Sequence, residues 1–254
     1  MTIEREEYTS PVSASLNKRV SIRHFTGEAI PDEMLRAILN SARRTSTSSN
    51  MQAYSLVVVR NPETKKQLAV LAGNQKHIET SAVFIAICAD IHRLEIAADM
   101  HGKTIAKNLE NFLVSSVDAA LLGQSVLAVA ESFGLGGVMI GGMRNHPKEA
   151  AELLGFPKGV YIVFGMSLGF PDEAKRSPQK PRLPEELIIH YEQYDTSDPT
   201  EKLRQHDAEL AEHYRSQGRG LDDAAWTGVI ANRFSTIRRP EMRSVLEELG
   251  FNFD

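Results

Sequence analysis

Apolar positions along the chain fall into two kinds of run. Pro31 to Arg43 (PDEMLRAILNSAR) places Met34, Leu35, Ile38 and Leu39 on one stripe at helical spacing, with proline at the start and acids in the first turn. This predicts an amphipathic helix, preceded by a short one ending near Arg19. Ser55 to Val59 (SLVVV) is a β-branched run and predicts a strand. The following PETKKQLAVLAG predicts a helix opening on Pro62 and closing on Gly73. SAVFIAICAD is apolar without alternation, the pattern of an interior strand buried on both faces. From about Ala106 to Phe133, small and apolar residues (Val114, Val117, Ala120, Leu121, Val126, Leu127, Val129) run nearly all the way round one long helix. Such a helix is enclosed by its own domain, by a partner subunit, or by both. The strand GVMI, a helix from Pro147 to Leu154 and the strand GVYIVFGMSLG complete the core.

Past Pro171 the pattern breaks: PDEAKRSPQKPRLPEE holds four of the chain's eleven prolines and predicts an irregular, exposed connection. Periodicity returns over Glu201 to Gln217, Asp223 to Phe234 and Pro240 to Leu249, three amphipathic helices that follow a finished sheet. They are expected to wrap the outside or to reach a second subunit. No fixed period governs the alternation, so a solenoid is excluded and a mixed α/β domain predicted. The expected organisation is a core over 1–170 with a connection and helical extension over 171–254, one structural domain overall.

With 254 residues, 42% of them hydrophobic, the chain can bury a substantial core. Acidic residues outnumber basic ones 33 to 29, which argues against a nucleic-acid partner. The single cysteine, Cys88, sits in the apolar strand run, where a buried thiol and a reducing compartment are expected. The N-terminus lacks a signal-peptide pattern. Leu113 to Ala130 carries Asp118 and Gln124 and falls short of the roughly 20 apolar residues a bilayer requires. A cytoplasmic protein without a membrane partner is therefore expected.

Metal chemistry finds little support. The eight histidines are scattered, and His206 and His213 share a helical face but stand about 10 Å apart along its axis. Asp90 and His92 follow a strand and read either as ligands or, more plainly, as an exposed strand end. No Walker loop, G-x-S-x-G elbow or cysteine–histidine signature is present, so no side chain is assigned as nucleophile, acid or base.

What remains is basic, hydroxyl and glycine residues. Arg19, Ser21 and Arg23 alternate, so an extended segment would turn all three to one side, as a phosphate clamp or as a solvated edge. Thr45 to Asn50 is a row of hydroxyl-rich residues before the SLVVV strand, either a plain loop or a wrap around a phosphate or a flat polar ring. Gly136-Gly137 and Gly141-Gly142 bracket a short apolar stretch; paired glycines permit positive φ and tight turns, or close approach of a planar ligand to the backbone. KPRLP holds Lys180 and Arg182 on a proline-stiffened segment, a clamp or a solvated charge pair.

In order along the chain, R-x-S-I-R-H-F, N-S-A-R-x-T-S-x-S-S-x-x-Q, G-x-Q-K-H, G-L-G-G-V-x-I-G-G-x-R-N and K-P-R-L-P resemble the nitroreductase superfamily, and within it the oxygen-insensitive NADPH nitroreductase and flavin reductase group. The resemblance runs from about Leu16 to Pro240. It implies an α+β fold with a mainly antiparallel central sheet flanked by helices, a C-terminal helical extension and a homodimer. It also implies FMN as cofactor, with hydride passing from NADPH or NADH to flavin N5 and then, in a ping-pong cycle, to nitroaromatics, quinones or free flavin. Arg19, Ser21, Arg23, Lys180 and Arg182 would meet the FMN phosphate. Arg19 stands where the family often has histidine. Thr47, Ser48 and Ser49 would line the phosphate and ribityl chain, and Gln52 and Gln75 the ring or ribityl. Gly136 and Gly137 would pass the ring near N5, and Arg239 would reach the nicotinamide cofactor's phosphate. Relatives that prefer NADPH carry arginines before the tryptophan where this chain aligns Gln217 and Asp222 or Asp223, with Arg215 and Arg219 nearby. Carboxylates there would repel a 2′-phosphate, which brings NADH in beside NADPH. Dehalogenation, flavin breakdown and a non-catalytic flavin carrier are the competing implications.

Overall fold

The computed structural model describes residues 8–220 and 225–254. The chain divides into two compact units, one running through Ser177 and resuming over Glu241–Asp254, the other spanning Pro178–Pro240.

The first unit is built on a four-stranded sheet of order β1-β2-β4-β3, comprising β1 (Tyr54–Val59), β2 (Val83–Asp90), β3 (Gly136–Ile140) and β4 (Val160–Gly169). All three pairings are antiparallel. Every residue of β2 is buried, as its unbroken apolar run predicts. The strand alternates between two layers: Val83, Ile85 and Ile87 face one core, Phe84, Ala86 and Cys88 the other. The first layer is roofed by α2 (Asp32–Ala42) and the long α6 (Leu109–Ser132), the second by α3 (Pro62–Leu71) and α7 (Pro147–Leu154).

Local chemistry sets the helix limits. α1 (Pro11–Lys18) opens on a capping box in which Ser10 and Ser13 satisfy each other's backbone N–H. α7 opens on Pro147 and stops at Gly155, which is left-handed at φ 68°. α6 lies close on the sheet because Gly123 leaves room: a Cβ there would come 2.6 Å from Phe164 Cζ. By length and composition alone α6 could cross a bilayer, contrary to the expectation above. In the fold one of its faces packs on the sheet and buries Ser115 and Asp118, while Leu109, Leu113, Val117 and Leu121 stand exposed on another.

Three readings change. Two helices were not anticipated, α4 (Lys76–Thr80) and α5 (His92–Asp99). Asp90 is not an exposed strand end: it is buried, accepts from the Ser55 hydroxyl at 2.5 Å and from Arg93 at 3.1 Å, and caps the N–H of Arg93. The paired glycines form no positive-φ turns. Gly136 and Gly137 lie within β3, Gly141 and Gly142 within a 3-10 turn, and the left-handed turn residue is Gly134. Among the described residues no group of three or more metal-ligating side chains occurs.

The first unit closes with α10 (Met242–Glu248), whose Leu246, with Leu249 and Phe251, packs against Tyr161 and Ile91. In the second unit an irregular stretch leads to α8 (Thr200–Arg215) and α9 (Thr227–Phe234). Buried Asp207 of α8 caps α9 by accepting the N–H groups of Trp226 and Thr227 at 2.6 and 2.8 Å, together with the Thr227 hydroxyl. The helix expected from Asp223 is described only from Thr227, since Asp222 and Asp223 lie outside the described residues.

Candidate cofactor site

The segment after α1 is extended, as the alternation of Arg19, Ser21 and Arg23 requires. Ile22 between them is buried, and its N–H donates to the Gly137 carbonyl at 3.0 Å. Phe25 then bridges to Pro171, and the Thr26 N–H donates to the Phe170 carbonyl at 3.0 Å. The basic segment thus runs along the sheet beside β3. Glycine permits this: a Cβ on Gly136 would sit 2.5 Å from Ile22 Cγ1, and one on Gly137 2.8 Å from the Ser167 carbonyl oxygen.

The two arginines of this segment differ. Arg19 is half-buried with its Nε 3.3 Å from Glu131 at the end of α6, and burial pushes the Glu131 carboxyl up against the opposing pull of Arg19 and Arg176. Arg23 is exposed and has no carboxylate partner among the described residues. Its charge is felt by His77, whose ring pKa is driven down to about 4, first by burial and then by Arg23 and His24. His77 Nε2 is enclosed without a hydrogen-bond partner among the described residues. Beside it in sequence, Gln75 donates from Nε2 to the Ala72 carbonyl at 2.8 Å and packs over Gly142, where a Cβ would come within 2.4 Å of that nitrogen.

The hydroxyl-rich stretch is a loop with a defined and costly shape. Ser49, Asn50 and Gln52 are left-handed at φ 47°, 58° and 53°, and none is glycine. Each such residue costs of order 1 kcal/mol or more, so the surroundings must hold the loop. They do so through its backbone. The N–H of Ser48 donates to Asp118 Oδ1 at 3.0 Å and that of Ala53 to Asp118 Oδ2 at 3.2 Å. The Ala53 carbonyl accepts from the N–H of Asp90 at 3.0 Å, and Arg93 reaches the Gln52 carbonyl at 3.4 Å. The hydroxyls of Thr47, Ser48 and Ser49, by contrast, engage no other described residue. The loop anchor, Asp118, and the partner of Arg19, Glu131, lie on one helix, about 20 Å apart along its axis.

The remaining expected residues belong to the second unit. Lys180 Nζ lies 5.2 Å from the centroid of the Tyr214 ring. Lys180 and Arg182 line a cavity of about 790 Å³ together with His206, Tyr214 and Trp226. Arg239, before Pro240, is left-handed at φ 54°. Gln217 donates its amide to the His213 carbonyl at 2.8 Å, which ties down the end of α8.

In the first unit, then, Arg19, Ser21, Arg23, Gly136 and Gly137 are brought side by side, and Thr47 to Gln52 form a braced loop. The donor set of hydroxyls, a guanidinium and a ring nitrogen, none with a partner among the described residues, fits an elongated ligand with an anionic end and a polar chain. Sequence reasoning missed Asp118, His77 and the Ser55–Asp90–Arg93 network. Asp118 left one signal, a lone acid inside an apolar helical run.

Two family models match the chain: "Nitroreductase family" over residues 16–170 and "Nitroreductase family, C-terminal domain" over residues 180–254. The chain is 37% identical to the FMN reductase (NADPH) of Bacillus subtilis, over 95% of this chain and 98% of that protein. It is 38% identical to the oxygen-insensitive NADPH nitroreductase of Salmonella typhimurium, over 95% of this chain and 98% of that one. The solved structure of B. megaterium NfrA2, at 37% identity, superposes with a TM-score of 0.92 over 97% of this chain and all (100%) of the other. With its four-stranded antiparallel sheet and both halves matched, this chain belongs to the nitroreductase family.

Proposed function

We propose that the protein is an FMN-dependent NAD(P)H oxidoreductase that passes electrons to nitroaromatics, quinones or free flavin. One observation carries the reading: a strained loop is pinned to the surrounding fold through its backbone, leaving three adjacent hydroxyls without partners among the described residues. When bound, FMN supplies the chemistry, taking and giving hydride. The chain's own residues bind and orient. Arg19, Ser21 and Arg23 hold the phosphate, while Thr47, Ser48, Ser49 and Gln52 meet the polar chain. The separation of their anchors on α6 suits a ligand whose two ends are held apart. Lys180 and Arg182 add cations for the same phosphate, and Arg239 serves the nicotinamide donor; their sequence motifs support these roles. Gly136 and Gly137 allow the cofactor-facing segment to lie flat on β3, and Gln75 braces the turn above Gly142.

The protein acts as a homodimer in this reading. Support comes from α6, where Leu109, Leu113, Val117 and Leu121 form an exposed apolar stripe at four-residue spacing, 42–54% accessible. A reducing, cytoplasmic setting agrees with the single, buried Cys88.

The test is direct. The purified protein should be yellow, or become so with FMN; NADPH or NADH should bleach it without oxygen, and a quinone, nitroarene or free flavin should restore the colour. Binding without bleaching would leave a flavin carrier, and failure to take up FMN would sink the proposal. The better reductant fixes the nicotinamide preference, NADH standing beside NADPH because a carboxylate at Asp222 or Asp223 would repel a 2′-phosphate.

A further inference from the structure

We propose that Asp118 is a positioning residue, a buried carboxylate on α6 that holds the left-handed loop Ser48–Ala53 in the shape that receives FMN. The inference rests on the cofactor reading above and adds a residue that acts through the loop. Asp118 is 1% exposed. Each of its oxygens accepts one backbone N–H, from Ser48 and from Ala53, so one side chain pins both ends of the loop. Between those pins lie the three left-handed residues Ser49, Asn50 and Gln52. Without glycine, a free segment would not keep such a run.

A carboxylate is a costly choice at this depth. No ion pair compensates it among the described residues, so its charge rests on those amides. Electrostatically it would oppose an anionic ligand, so what it contributes to binding is geometry. With the backbone committed to Asp118, Asp90 and Arg93, the loop presents its hydroxyls already ordered, and the ordering entropy is spent at folding rather than on binding.

The test is Asp118→Asn, which keeps the shape, removes the charge and turns one acceptor into a donor facing an N–H. Apoprotein is titrated with FMN by flavin fluorescence, and amide exchange is followed in the same apoprotein. The dissociation constant should rise about tenfold or more. Exchange should quicken over Ser48–Ala53 while β2 amides keep wild-type protection; a merely structural role would loosen all of them together. Wild-type affinity in the variant overturns the proposal, as does uniform loosening. Should the variant not fold, exchange in the wild-type apoprotein decides: Ser48 is an exposed residue, so a protected amide there supports the Asp118 pin and a freely exchanging one refutes it. A wild-type protein that binds no FMN removes the cofactor reading itself, an outcome distinct from wild-type-like binding by the variant.

Discussion

Ile22 occupies the space that a side chain on Gly136 would fill, with Cγ1 2.5 Å and Cβ 3.1 Å from the position of the missing Cβ. That contact seats the Arg19–Arg23 segment on the sheet. Gly136→Ala should therefore cost about 1–3 kcal/mol of stability and also weaken FMN binding, because the arginines shift with Ile22. Thermal melts and an FMN titration check both effects, and Ile22→Ala on the Gly136→Ala background should recover part of each. Unchanged flavin affinity in a destabilised single variant would detach the segment from the site.

Arg23 has no carboxylate partner to lose among the described residues. Arg23→Ala is expected to leave the apoprotein's melting temperature within error and to weaken FMN binding by about 1.5–3 kcal/mol, the range of a charge-assisted contact. Arg182→Ala tests the second unit's share in the same titration. Wild-type affinity in both variants places the phosphate elsewhere.

His77 makes stability depend on pH. Its ring pKa is near 4 in the folded chain against an ordinary 6.5, so between those values the unfolded chain binds the proton that the native one refuses. The stability present above pH 6.5 should therefore decline as pH falls toward 4. His77→Gln should flatten that part of a melting-temperature profile. A profile as steep as wild type would assign the acid sensitivity to other groups.

The bare stripe on α6 predicts association. Val117 is 54% exposed at its middle, and Val117→Lys should shift the protein from dimer to monomer in sedimentation at micromolar concentration. A wild-type protein that sediments as a monomer would show the stripe unpaired in solution.

Much of the fold was legible because periodicity and punctuation agreed. Pro147 and Gly155 bound α7, and the unbroken run of β2 marks a strand covered on both faces. Short α4 and α5 escaped because a helix of one or two turns is too brief to show a stripe. Asp90 looked like a strand's exposed end since its partners, Ser55 and Arg93, lie on separate elements. The site's residue types were readable, but their strain was not. Ser49, Asn50 and Gln52 became left-handed through a helix that arrives about 70 residues later, and a lone acid in that helix's apolar run did not say what Asp118 holds. The glycines of β3 were readable as unusual, yet what they accommodate, Ile22 and the Ser167 carbonyl, is a tertiary fact.

The last residues of the chain complete the first unit's core. Phe251 meets Tyr161 edge to face at 5.2 Å, and the Leu249 carbonyl accepts the Gly159 N–H at 2.7 Å. During synthesis this corner stays open until Leu246 to Phe251 have followed, long after the sheet has been made. A nascent chain halted before Leu246 would display a raw apolar surface to chaperones and proteases.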